Sequence, residues 1–141
     1  MPLTIFVWVM AALLGQQSAP SAAPPALDFE YFKARIQPIF LAKRDGHARC
    51  YSCHSQGTPM RLQEIPAGRT TWNEEESRKN FDAVIKEVNA ADPMQSRLLL
   101  HPLATEAGGT LFHNGGKHFE NRNNTEWQTL LGWVKGQKLS K

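Results

Sequence analysis

The chain has 141 residues, a formal net charge of +3 and only two cysteines. That length holds one domain, and two cysteines allow at most a single disulfide. Lys and Arg are scattered, with no polybasic run and no aromatic interleaving, which excludes the usual nucleic-acid readers and leaves only a mild preference for acidic partners.

Residues 3–14, LTIFVWVMAALL, form a nearly unbroken apolar run, followed by the small, proline-rich stretch GQQSAPSAAPPA. The run is shorter than the roughly 20 residues that span a bilayer. It has the length of the apolar centre of an export signal. No Lys or Arg precedes it, so an uncleaved anchor or a misassigned start is the competing reading. We expect a signal peptide over residues 1–22, cut between 17 and 23, and a mature domain that is periplasmic or otherwise extracytoplasmic, with no transmembrane span after signal removal. No cysteine lies nearby to carry a lipid anchor. Every charged side chain lies after Ala26.

Asp28 suits a helix N-cap. Behind it Phe29, Phe32, Ile36, Ile39 and Phe40 recur at helical spacing, and Pro38 should kink or end the helix. The turn residues Asp45 and Gly46 lead into CYSCH at 50–54. Two cysteines three apart, followed at once by histidine, match the attachment motif for c-type haem. On one helical turn Cys50 and Cys53 project to the same side, where each thiol can add to one haem vinyl group. His54 then meets the iron from the proximal face. The competing readings are a zinc site completed by His113 and His118, a Cys-x-x-Cys redox pair, and a strained structural disulfide.

Residues 55–79 show no period and read as a long loop wrapped around something. Asn80 opens a helix with Phe81, Val84, Ile85 and Val88 on one face, stopped by Asp92-Pro93. SRLLLHPLA, from Ser96, is cut by Pro102 and holds at most two turns. After Gly108 and Gly109 comes LFHNGGKHF at 111–119, a glycine-rich loop with two of the five histidines. Thr125 and Gln128 have capping-box spacing before Trp127, Leu130, Leu131 and Val134, and Gly136 suits the C′ position. Residues 137–141 form a short basic tail. The expected fold is all-α: three to five short helices with long loops around one haem.

The ordered set resembles a class I cytochrome c and, more closely, the planctomycete-type cytochrome c domain. The likeness rests on Pro38-Ile39-Phe40, CYSCH, DPMQSRLL at 92–99, His113-Asn114-Gly115-Gly116-Lys117, and Leu130 with Trp133. It spans 28–136. The loop reads HNGGK where HGGGK is commoner in such domains. The resemblance implies one covalent haem c and a one-electron carrier, or an electron-transfer subunit of a larger redox complex, rather than an enzyme. Redox proteins are the implied partners, with docking steered toward an acidic face; the chain would act as a monomer or as a subunit of a complex.

The resemblance also implies a distal ligand in the loop before the last helix, which points to His113 opposite His54. Glycines on both sides let that backbone approach a flat group. His118, His101, Met94 and Met60 remain rival ligands, as does an open iron; His47 is too close in chain to Cys50 to cross the ring. An open distal position would mean an enzyme or gas sensor, and a haem-free alternative is a zinc-stabilised binding module.

Overall fold

The computed structural model describes residues 26–140; the expected signal peptide, residues 1–22, lies outside them. The fold is all-α. Among the described residues there is no strand, only the isolated bridges Arg44–His47 and Leu103–Phe119. Short helices carry the chain: α1 (Phe29–Tyr31), α2 (Gln37–Leu41), α3 (Cys50–His54), α4 (Glu74–Val84), α5 (Arg97–Leu100) and α6 (Thr125–Val134).

Asp28 caps α1, its carboxylate accepting from the Tyr31 N–H at 2.5 Å. A π-helical turn, Phe32–Ile36, joins α1 to α2 without a break. Pro38 explains it. Proline has no N–H to offer the preceding turn and its ring presses on that turn. The turn widens instead, and the Gln37 N–H bonds to Phe32 O in the wider register. Pro38 thus reshapes the helix, which continues to Leu41.

The middle helix starts earlier than the apolar spacing suggests. Asn73, not Asn80, opens it, in a full capping box with Glu76: the Glu76 N–H donates to Asn73 Oδ1 at 2.8 Å and the Asn73 N–H to the Glu76 carboxylate at 2.9 Å. Glu74, Glu75 and Glu76 fill the first turn, where negative charge offsets the positive end of the helix. Asn80 lies fully buried within the helix, its Oδ1 accepting from the Gln63 N–H at 2.7 Å. The last helix also differs in its cap. Asn124 accepts from the Glu126 and Trp127 N–H groups, while the Gln128 side chain turns away to Arg122 O, so Thr125 and Gln128 make no capping box. Gly136 does end the helix, with φ of 89° and its N–H on Trp133 O at 2.8 Å.

Phe32 joins the N-terminal helical run to α4 and α6. Its ring lies 5.4 Å from both Phe81 and Trp133 and 6.3 Å from Phe40. The two indoles beneath α6 are buried with their N–H groups satisfied, Trp133 on Asp28 O at 2.9 Å and Trp127 on Leu99 O at 3.1 Å. Residues 55–73 form the expected long loop, and it is firmly pinned. Leu62 is fully buried, Trp72 donates to Gln63 O at 2.7 Å, and the Ile65 N–H donates to the Tyr51 hydroxyl at 2.8 Å.

Candidate haem site

Between α3, α5 and the glycine-rich loop lies a cavity of about 450 Å³, within the size range of small-molecule and cofactor sites. Ile39, Phe40, Leu98, Phe119 and Leu130 make its walls largely apolar, and Cys50, Cys53, His54, His101, His113 and His118 also line it. The CYSCH motif is α3 itself, a single turn. Residues three apart on such a turn share a face, which brings both thiols to the cavity. Both are free, Cys50 half-buried and Cys53 exposed. Burial pushes the Cys50 thiol upward, and the nearby Arg44 guanidinium, 3.8 Å from its sulfur, opposes that.

His54 is held in one tautomer. Its Nδ1 lies 2.8 Å from Met60 O, which can only accept, so Nδ1 carries the proton and Nε2 keeps its lone pair. The Thr58 hydroxyl sits 2.9 Å from the same nitrogen and donates to Met60 O. Burial lowers the pKa of His54, the Met60 carbonyl works the other way, and His113 lowers it further. A neutral imidazole with a free Nε2 is the form that binds a metal.

His113 repeats the arrangement, its Nδ1 2.7 Å from Gly116 O. The His54 and His113 ring centres are 6.3 Å apart, with the planes 25° from parallel. An imidazole nitrogen binds a metal at about 2 Å, and the ring centre lies roughly 1 Å further along the same line; two imidazoles on opposite sides of one ion therefore have centres about 6 Å apart. The observed spacing suits an ion between them. Among the described residues no group of three or more His, Cys, Asp or Glu side chains gathers to hold a metal. Cys50, Cys53, His113 and His118 therefore do not form the four-ligand set that zinc takes. Two imidazoles across an apolar cavity, with two thiols at its edge, fit a haem, whose ring supplies the other iron ligands.

The rival ligands fall in different places. His101 lines the cavity, its ring 5.9 Å from that of His113. His118 lines it too, but its Nδ1 is buried without a partner, and its pKa is lowered to about 4, first by burial and then by Arg44, His47 and His113. Met60 is bound into the His54 side through its carbonyl. Met94 packs against the core and His47 against His118, with ring centres 5.0 Å apart; neither lines the cavity.

Three groups at the site have little or no sequence signal. Thr58 is one polar residue in an irregular loop. Arg44 looks like any scattered surface cation. Lys117 stands in the HNGGK motif without an evident task; in the fold its ammonium donates to His101 O at 3.1 Å and to Thr110 O, tying the two arms of the glycine-rich loop together. At the loop's base the Ala104 N–H donates to Phe119 O at 2.8 Å and the Gly109 N–H to Ala104 O at 3.0 Å. Any side chain at Gly109 would overlap the Leu103 carbonyl.

No protein-family model matches this chain, and neither a curated protein nor a solved structure does. Function is therefore read from the site. No helix among the described residues is long and apolar enough to cross a membrane.

Proposed function

We propose that this chain is an extracytoplasmic mono-haem c-type cytochrome of the planctomycete type, carrying one electron at a time between redox proteins. The observation that carries this reading is the His54–His113 pair, 6.3 Å between ring centres, in an apolar cavity edged by Cys50 and Cys53. Bound haem would supply Fe(III)/Fe(II) exchange. Cys50 and Cys53 would hold it covalently, each thiol adding its sulfur and its hydrogen across one vinyl double bond, with no oxidant and no leaving group. His54 and His113 would hold the iron through Nε2, with Met60 O and Gly116 O holding the opposite ring nitrogens protonated. The apolar walls keep water from the ring.

Two histidines favour a low-spin iron with a potential below that of a His/Met site. Both axial positions being filled favours electron transfer over oxygen or peroxide chemistry. Lys and Arg around the surface would steer an acidic partner, as a free carrier or within a larger complex.

The test is expression in a host that matures c-type cytochromes. A haem-staining band on a denaturing gel, a porphyrin adduct on the peptide containing Cys50 and Cys53, and a low-spin visible spectrum are expected. A colourless protein with both thiols unmodified would overturn the proposal. Transfer rates to an acidic partner should fall as salt rises; rates indifferent to ionic strength would remove the steering argument while leaving the haem.

A further inference from the structure

Four imidazoles line the cavity, His54, His101, His113 and His118, two more than a ligand pair needs. His101 lines it beside His113, with ring centres 5.9 Å apart and planes only 15° from parallel. Its Nδ1 lies 3.0 Å from the Thr110 hydroxyl oxygen, and that hydroxyl donates to Leu100 O. With the hydroxyl accepting from Nδ1, the His101 Nε2 is left free, as in His54 and His113.

The two imidazoles are mounted differently. His101 caps α5, its N–H on Arg97 O at 3.0 Å, just after the buried Leu98 and Leu99. His113 follows Leu111 and Phe112, which are 86% and 75% exposed, in a stretch with no helix or strand. Few apolar contacts hold that part of the loop, and such segments open at low free-energy cost. One distal imidazole is thus fixed to the core and the other rides on a loosely packed loop.

We infer that His101 is a reserve iron ligand: were the loop tip carrying His113 to withdraw, His101 would hold the iron in its place, one imidazole exchanged for another. The inference rests on the haem reading above. Its consequence is two low-spin forms of one protein, selected by the position of the loop tip, residues 111–116, while Thr110 and Lys117 stay tied to the His101 segment. Anything that binds the loop more tightly in one position would shift the balance between them.

The test compares His113→Ala with the double variant His113→Ala/His101→Ala, both matured with haem. We expect the single variant to remain low-spin, with altered electron paramagnetic resonance g-values and slow carbon monoxide binding when reduced. The double variant should be high-spin and bind carbon monoxide at once. A single variant already high-spin and indistinguishable from the double would overturn the reserve role and leave the haem reading intact. A double variant still low-spin would also overturn it. A single variant with unaltered g-values would show that His113 is not the resident ligand, and then the proposed axial pair falls as well.

If the single variant fails to mature, the unsubstituted protein carries the test. Sub-denaturing urea should produce a second low-spin signal before any high-spin form, and His101→Ala should abolish it. Direct passage to high spin in the unsubstituted protein, or persistence of the second signal in His101→Ala, would overturn the inference.

Discussion

Arg44 reaches four separated parts of the chain with one guanidinium. It pairs with Glu126 through Nε at 2.8 Å and Nη2 at 2.6 Å, donates to Ile39 O at 3.1 Å, approaches Cys50 Sγ at 3.8 Å and lies over the Phe119 ring. This links α2, the CYSCH turn, the end of the glycine-rich loop and the start of α6. Exposed ion pairs contribute little, but this arginine is largely buried, with 14% of its side chain accessible. Arg44→Met should cost about 2 kcal/mol, the order expected when charge-assisted hydrogen bonds are lost and a half-buried carboxylate is stranded. Urea unfolding of the haem-loaded protein would measure it, and a change under about 0.5 kcal/mol would place the pair among ordinary surface contacts. His118 gives a pH prediction. Its folded pKa of about 4 lies below its ordinary value of 6.5, so the unfolded chain takes up the proton first. The stability this ring contributes is complete above pH 6.5 and is lost as the pH falls through 4. His118→Phe should flatten the decline in urea midpoint over that window; an acid slope equal to that of the parent would contradict it.

At the scale of elements, the caps discriminate between two readings of where helices begin. Asn73→Ala and Asn124→Ala should each cost about 1 kcal/mol, the usual loss for a removed N-cap. Thr125→Ala should stay within about 0.5 kcal/mol, because no cap bond is lost. Equal losses at 124 and 125 in thermal melts would contradict the observed geometry. These positions also show what a sequence can reveal. The apolar stripe of Phe81 and Val84, continued by Ile85 just beyond it, marks the half of α4 that packs on the core. The half before it, EEESRK, is mostly solvated and carries no stripe, so periodicity places the start too late. The signal was present in another form, the Asn73–Glu76 capping spacing. That Cys50, Cys53 and His54 share one cavity was legible in the spacing of a single motif, and the family resemblance pointed to His113 beside them. The roles of Arg44 and Thr58 were not legible, since each depends on partners that only the folded chain supplies; Glu126 is 82 positions from Arg44.

The whole molecule encloses its cavity with residues that would otherwise complete its core. Ile39, Phe40, Leu98, Phe119 and Leu130 are buried and yet border about 450 Å³ of open space. Interiors are normally packed to crystal-like density, so these side chains lack packing partners on their cavity face. The chain produced as Cys50→Ala/Cys53→Ala, with no haem retained, should lose the near-ultraviolet circular dichroism of Trp127 and Trp133 and unfold over a broad urea range. Unfolding as sharp as that of the haem-loaded protein would mean that the walls pack well enough alone.

Gly109 has a consequence for how such a chain can change over generations. A methyl group there already collides with the Leu103 carbonyl, so any amino-acid replacement at this position disrupts the base of the glycine-rich loop. Two positions on, Leu111 points into solvent and tolerates wide drift. Purifying selection at 109 and near-neutral variation at 111 should lie side by side, separated by a single threonine.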